Sequence, residues 1–279
     1  MDRGTPEYPD HLTRLSDPPD PLWVSGTLPE PGIPTLGVVG TRRCTPYGAR
    51  TARDVAGALA AAGAVIVSGL AQGIDSTAHA AAIEAGGRTI AVLGEGLLAF
   101  DRTGPLARRR LAEAIRRSGA VVSEYALDHP ARDWTFPKRN ATIAALSDVL
   151  IVVEAPAGSG ALVTTADALR LGRRVYCVPG PVGAPTWVGS NDLIAQGDAT
   201  ILTGVDQVAR ELGLEVRRAA PQRQGPAQRL LQLLADGPAD TDTLAGSLGL
   251  SLDSAAQLIA RELLQGTIYT TADGRFARR

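Results

Sequence analysis

Residues 65–83 read Val-Ile-Val-Ser-Gly-Leu-Ala-Gln-Gly-Ile-Asp-Ser-Thr-Ala-His-Ala-Ala-Ala-Ile, and the reading of this stretch decides the fold. The apolar, β-branched run Ala64–Val67 predicts a buried strand. Ser68–Ile74 predicts a turn in which Gly69 and Gly73 supply positive φ or close approach of a ligand. From Asp75 the pattern becomes helical. Asp75 or Ser76 is placed to cap that helix, and His79 follows Asp75 by four residues on the same face. Strand, glycine turn and helix N-terminus form a geometry that binds anions, because free backbone N–H groups and the helix dipole point at one spot. A merely tight turn needs the same glycines, so the motif by itself leaves both readings open.

Outward from this unit the pattern repeats. Leu36–Val39, Arg88–Leu93, Ala120–Ser123, Val149–Val153 and Val175–Val178 predict further strands, with Ala199–Leu202 at an edge. Between them fall an Ala-rich helix over Tyr47–Ala62, a basic helix over Pro105–Arg117, one near Asn140–Leu146 and one ending at Leu171. Residues 94–104 are expected as an irregular loop and 124–138 as a polar, aromatic one. Apolar strands alternating with helices of this length predict an α/β, doubly wound, mostly parallel sheet of Rossmann type over residues 35–214. Residues 1–34 are rich in Pro and Asp and predict an irregular strap whose Tyr8, Leu12, Leu15, Leu22 and Trp23 pack on that domain.

Residues 215–226 read as a linker. Beyond them Ala227–Ala235, Thr241–Leu248 and Leu252–Gln265 predict three short helices, and the chain around Asp273-Gly274 a hairpin. This is the outline of a winged helix at 227–279. Its third helix offers one arginine among apolar and acidic neighbours, so protein contact suits it better than duplex reading.

Composition narrows the function classes. The chain has 279 residues and a net charge of −1, so nucleic-acid binding requires a local patch. Two cysteines, Cys44 and Cys177, are too few for a disulfide framework or a zinc site, and His11, His79 and His129 lack metal spacing. No apolar run is long enough for a membrane span, and the N-terminus lacks the apolar core of a signal peptide. A cytoplasmic protein without cofactor or metal is expected.

In open α/β sheets ligands sit at the carboxyl ends of the strands. Those ends carry Gly40-Thr41-Arg42-Arg43, then Ser68-Gly69 through Gly73, then Gly94-Glu95-Gly96, Glu124, and Glu154 with Gly158-Ser159-Gly160. The loop after the fourth strand adds Trp134, Phe136, Lys138, Arg139 and Asn140, and Lys138 is the one lysine among 28 basic residues. Cations beside aromatic faces suit single-stranded nucleic acid, with phosphates neutralised and bases stacked. The plainer alternative makes Trp134 and Phe136 core and the arginines solvated. A third reading takes Glu124 and Glu154 as acid and base acting on a small nucleotide.

At these residues the chain resembles the DprA/Smf family, the DNA-processing protein A. The resemblance lies in Gly40-Thr41-Arg42 with Tyr47-Gly48, Ser68-Gly69-Leu70-Ala71 with Gly73-Ile74-Asp75 and Ala78-His79, and Thr89-Ile90-Ala91-Val92-Leu93-Gly94. It continues in Phe136-Pro137, Arg139-Asn140, Val153-Glu154-Ala155, Ser159-Gly160 and Val178-Pro179-Gly180, in order from about Tyr8 to Leu212. The resemblance implies an extended Rossmann domain that forms a homodimer, binds single-stranded DNA and helps load the RecA recombinase in natural transformation, with no catalytic reaction. Its DNA pocket would use Arg42, the Ser68-Gly69 turn, Phe136, Lys138, Arg139 and Asn140.

The chain departs from the family pattern at Leu97-Leu98-Ala99-Phe100-Asp101, where Gly-Leu-Asp and then Tyr-Pro are usual. It departs again at Ala141-Thr142, where a further basic residue is usual, and it is expected to lack the N-terminal helical domain many members carry. The phosphoribohydrolases share the architecture but carry Pro-Gly-Gly-x-Gly-Thr, where this chain has Ala157-Gly158-Ser159-Gly160-Ala161.

Overall fold

In the computed structural model, which describes residues 1–216, 225–235 and 237–278, the apolar runs form strands buried on both faces. The chain divides into two compact units, Met1–Arg217 and Arg218–Arg279. In the first, a 3-10 helix at Asp10–Arg14 precedes β1 (Trp23–Gly26), β2 (Thr35–Val39), α1 (Pro46–Ala61), β3 (Val65–Ser68) and α2 (Ile74–Glu84). Next come β4 (Thr89–Leu93), α3 (Leu97–Thr103), α4 (Leu106–Ser118), β5 (Ala120–Ser123), α5 (Thr135–Ala145) and β6 (Val149–Val152). The unit closes with α6 (Gly160–Arg170), β7 (Arg174–Cys177), α7 (Val188–Ala195), β8 (Thr200–Ile201) and α8 (Val205–Glu211).

The sheet order is β1-β5-β4-β3-β2-β6-β7-β8, parallel throughout except for β1, which pairs antiparallel with β5. Strand residues two apart share a face. Accordingly Leu36 and Val38 join Val149 and Ile151 in one core with the helix residues Ala52, Val55, Leu59, Ile74 and Ala78. Val39, Val65, Leu150 and Val152 face the other core, with Ile143, Ala144 and Ala161 and with Tyr8, Leu12 and Leu22 of the N-terminal segment. The direction of winding reverses between β2 and β6, which makes the mouth between their carboxyl ends the switch point.

Three expectations are corrected. The N-terminal segment is not wholly irregular: Trp23–Gly26 adds the edge strand β1, in register with Ser123–Ala120. Residues 94–104 hold about two helical turns, α3, with Leu97 and Phe100 buried against α4. And α5 starts at Thr135, five residues earlier than expected, so that Phe136, Lys138 and Arg139 lie on a helix and not on a loop.

The second unit contains α9 (Pro226–Leu233), α10 (Thr241–Leu248), α11 (Leu252–Leu264) and the antiparallel pair β9 (Ile268–Thr270) and β10 (Phe276–Arg278). Leu230, Leu244, Leu248, Ile259 and Ile268 form its core. Most of the expected linker, residues 217–224, lies outside the described residues.

Candidate nucleic-acid interface

The loop after β2 is fixed at both ends by its own backbone. Thr41 donates its N–H to the Glu154 carbonyl (2.7 Å), and its carbonyl accepts from Ile74 N (3.3 Å). Gly73 takes φ 88°, and a Cβ there would stand 2.5 Å from the Thr41 carbonyl oxygen, so only glycine lets α2 begin beneath this loop. Thr45 caps α1 by accepting from Gly48 N, and its own N–H and hydroxyl donate to Glu154 Oε2 at 2.9 and 3.0 Å. Between these anchors Arg42 and Arg43 stand exposed, and neither forms an ion pair among the described residues.

Opposite lies the first turn of α5. Phe136 is half-buried, packed so closely on the end of β4 that a Cβ at Gly94 would approach its ring to 2.7 Å. The guanidinium carbons of Arg42 and Arg139 lie 5.6 and 6.0 Å from the ring centroid, within cation–π range. Asn140 donates from its amide to the Gly160 carbonyl (3.2 Å), tying α5 to the start of α6, where the Ser159 hydroxyl caps by accepting from Ala161 N. These groups enclose a cleft of about 560 Å³ at the β2/β6 switch point. Gly40, Thr41, Arg42, Arg43, Phe136, Arg139, Asn140, Ser159 and Gly160 all line it.

Four expected residues do not. Ser68 is fully buried and donates to the Val38 carbonyl (2.6 Å). Gly69 and Gly73 shape the turn after β3 without lining the cleft. Lys138 points to the other side of α5, into a second hollow of about 280 Å³. There its ammonium meets Asp17 at 2.9 Å and Glu124 at 3.8 Å.

Arg139 lines the cleft floor but is 5% exposed, and its guanidinium donates to the carbonyls of Gly69 (2.9 Å) and Val92. Burial pulls its pKa down to about 10, opposed by the Asp75 carboxylate, so it stays charged at neutral pH. Arg108, which the sequence reading passed over within its basic helix, reaches the same area. It donates to the Leu70 carbonyl (2.7 Å) and lies over the Phe100 ring. Only its place in the run Arg108-Arg109-Arg110 marked it in the sequence.

The expected capping role of Asp75 changes, and His79, expected to bond Asp75 or a backbone carbonyl, has Thr89 as its partner. Asp75 does not cap α2, whose N-cap is Gly73; its Oδ2 accepts from Gly69 N and Ala71 N instead. His79 shares a hydrogen bond with Thr89 Oγ1 (2.6 Å), not with Asp75, and because that hydroxyl donates to Ile66, Nδ1 carries the proton. Burial pushes the His79 pKa down to about 3, leaving it neutral. Trp134 is 57% exposed and packs edge-on against Tyr125 and His129 outside the cleft.

The family of DNA recombination-mediator protein A matches residues 1–213. The chain belongs to this family. Protein Smf of Escherichia coli is 42% identical over 218 residues, 77% of this chain and 57% of its own length, so the chain spans little more than half of that relative. The X-ray structure of DprA from Streptococcus pneumoniae superposes with TM-score 0.70 at 38% identity, covering 76% of this chain and 73% of that one. A DprA structure from Helicobacter pylori, described for its single-stranded DNA binding mode, superposes with TM-score 0.65 at 29% identity, covering 73% of this chain and 92% of that one. Among the described residues no group of histidine, cysteine and carboxylate side chains is placed to hold a metal, and no helix is long and apolar enough to cross a membrane.

Proposed function

We propose that this DprA-family protein binds single-stranded DNA in the β2/β6 cleft, protects it, and passes it to the RecA recombinase as a homodimer during natural transformation. The observation that carries the DNA reading is the pair of exposed arginines, Arg42 and Arg43, with no ion-pair partner among the described residues, beside the half-buried ring of Phe136 at the switch point. Phosphates are neutralised by such cations and bases stack on such a ring, with no need for duplex geometry. The Helicobacter pylori relative, described for its single-stranded DNA binding, supports the same reading. The RecA step, the homodimer and transformation rest on the family resemblance.

Binding without catalysis is the reading that the carboxylates favour. Glu154 is fully buried and occupied by Thr45, Asp75 is occupied by two backbone N–H groups, and Glu124 opens on the separate hollow. In the second unit Arg261 lies beside Glu262 and Arg275 is paired with Asp273, which supports protein contact over duplex reading there. Both cysteines are free, in keeping with a reducing cytoplasm.

The test is a titration of labelled oligothymidine, duplex and nucleoside monophosphate at two salt concentrations. Preference for the single strand, weakening with salt, is expected. Equal affinity for duplex, or turnover of the monophosphate, refutes the reading.

A further inference from the structure

The three tryptophans of the chain are placed very differently. Trp187 is 2% exposed and Trp23 is half-buried in β1, whereas Trp134, just ahead of α5, is 57% exposed. The turn that carries it is nevertheless closed by three hydrogen bonds. Thr135 N and Thr135 Oγ1 donate to the Arg132 carbonyl at 3.0 and 2.7 Å, and Arg132 N donates to Thr135 Oγ1 at 3.1 Å. The indole stands edge-on to Tyr125 and His129, with ring centroids 5.9 and 5.7 Å away. Those two rings are stacked on each other at 4.9 Å, and the Tyr125 hydroxyl donates to the Thr135 carbonyl (3.0 Å). Among the described residues no ring is stacked on the indole itself. An aromatic surface already held in place and left open to solvent is suited to base stacking, because little freedom remains to be lost on contact.

Asp133 and Phe136, on either side of Trp134 in sequence, both line the cleft. Residues two apart on a helical turn do not face each other, so Trp134 and Phe136 present their rings to different sides of the start of α5. We propose, on the single-strand reading of the cleft, that Trp134 is a second stacking platform. It takes a base of the same strand as that strand leaves the Phe136 side and bends round the start of α5. Arg132 and Asp133 precede it, both exposed and of opposite charge, so what this rim offers is the ring and not a net charge. The platform therefore adds affinity without neutralising a further phosphate.

The experiment titrates the full chain with oligothymidine while following tryptophan emission, and repeats the titration with Trp134→Phe and Trp134→Ala at two salt concentrations. Stacking on a base quenches an indole, so the emission of the parent is expected to fall on binding. Trp134→Phe keeps a ring and is expected to bind within about threefold of the parent while losing that fall, which assigns it to Trp134 and not to Trp23 or Trp187. Trp134→Ala is expected to bind about five- to a hundredfold more weakly, with the parent's slope of log affinity against log salt, because no phosphate contact is lost. Four outcomes overturn the inference while the single-strand reading stands: binding with no fall in the parent's emission, a fall that survives in Trp134→Phe, a folded Trp134→Ala that binds as tightly as the parent, or one whose salt slope is shallower. Should Trp134→Ala fail to fold, the emission of the parent against that of Trp134→Phe decides. A parent that binds no oligothymidine sinks both readings.

Discussion

Two hollows flank the start of α5 and share Pro137 and Val163 in their linings, yet their charges are arranged in opposite ways. In the cleft at the switch point Arg42 and Arg43 are exposed with no acidic partner among the described residues. In the other hollow each cation is already matched: Lys138 with Asp17 and Glu124, and Arg170 with Asp167. A phosphate entering the first finds free charge. One entering the second must displace a carboxylate, and the net gain is the difference of two similar interactions. Cations of equal standing in the sequence therefore differ in what they offer a ligand, and the difference lies in their partners.

The largest effect expected from breaking this contrast falls on the buried member of the set. Arg139→Met removes the donor to the Gly69 and Val92 carbonyls and leaves Asp75 without its cation. Breaking one side of a buried charge arrangement costs about 3–5 kcal/mol, so chemical denaturation should show that loss before any DNA is added. A variant as stable as the parent would mean that Arg139 is a ligand group and not a support.

Arg42→Ala comes next. It should weaken oligothymidine binding by about 1–3 kcal/mol, with the slope of log affinity against log salt shallower by about 0.7 for the lost contact. Stability should stay within about 0.5 kcal/mol, as for an exposed side chain.

Lys138→Ala should be milder, no more than about 1 kcal/mol, because the ammonium is pre-paired and half-exposed. Asp17→Asn sharpens the point: by freeing Lys138 it should raise oligothymidine affinity slightly, whereas a loss would place Asp17 itself at the interface.

The smallest effect is a pH dependence confined to the second hollow. Burial pushes the Glu124 carboxyl above its ordinary range, with Lys138 opposing. A carboxyl whose folded pKa is raised gives stability that is present below its unfolded value and lost as pH rises through the folded one. Glu124→Gln abolishes that loss, so the difference between the melting curves of parent and variant should grow in the parent's disfavour from about pH 4.5 upward.

The alternation of strand and helix was legible because a strand buried on both faces must be mostly apolar, as β6 is throughout and β2, β3 and β4 are apart from the end residues Thr35, Ser68 and Thr89. Trp23–Gly26 escaped because it is a short edge strand, half-buried, framed by prolines that break any periodicity. The early start of α5 was hidden by Pro137, which looks like an interruption but sits in the first turn, where its missing N–H costs nothing. At the site, the residue types and the strand ends were readable, and nine of the thirteen expected residues do line one cleft. What could not be read was pairing. The acceptors of Arg139 lie 70 and 47 residues away and the partner of Lys138 lies 121 away, so only the folded chain decides which cation is free.

The antiparallel strand β1 has a consequence for handling the protein. Its four residues cover the outer edge of β5, which without them would offer a row of unpaired N–H and C=O groups on a strand that is apolar up to Ser123. Such an edge recruits other chains into intermolecular sheet. At the far side β8 is only two residues long, a poor template for the same growth. Trimming the chain back to β2 would therefore open that edge to other chains and strip Tyr8, Leu12 and Leu22 from the core, while removing no residue that lines the cleft.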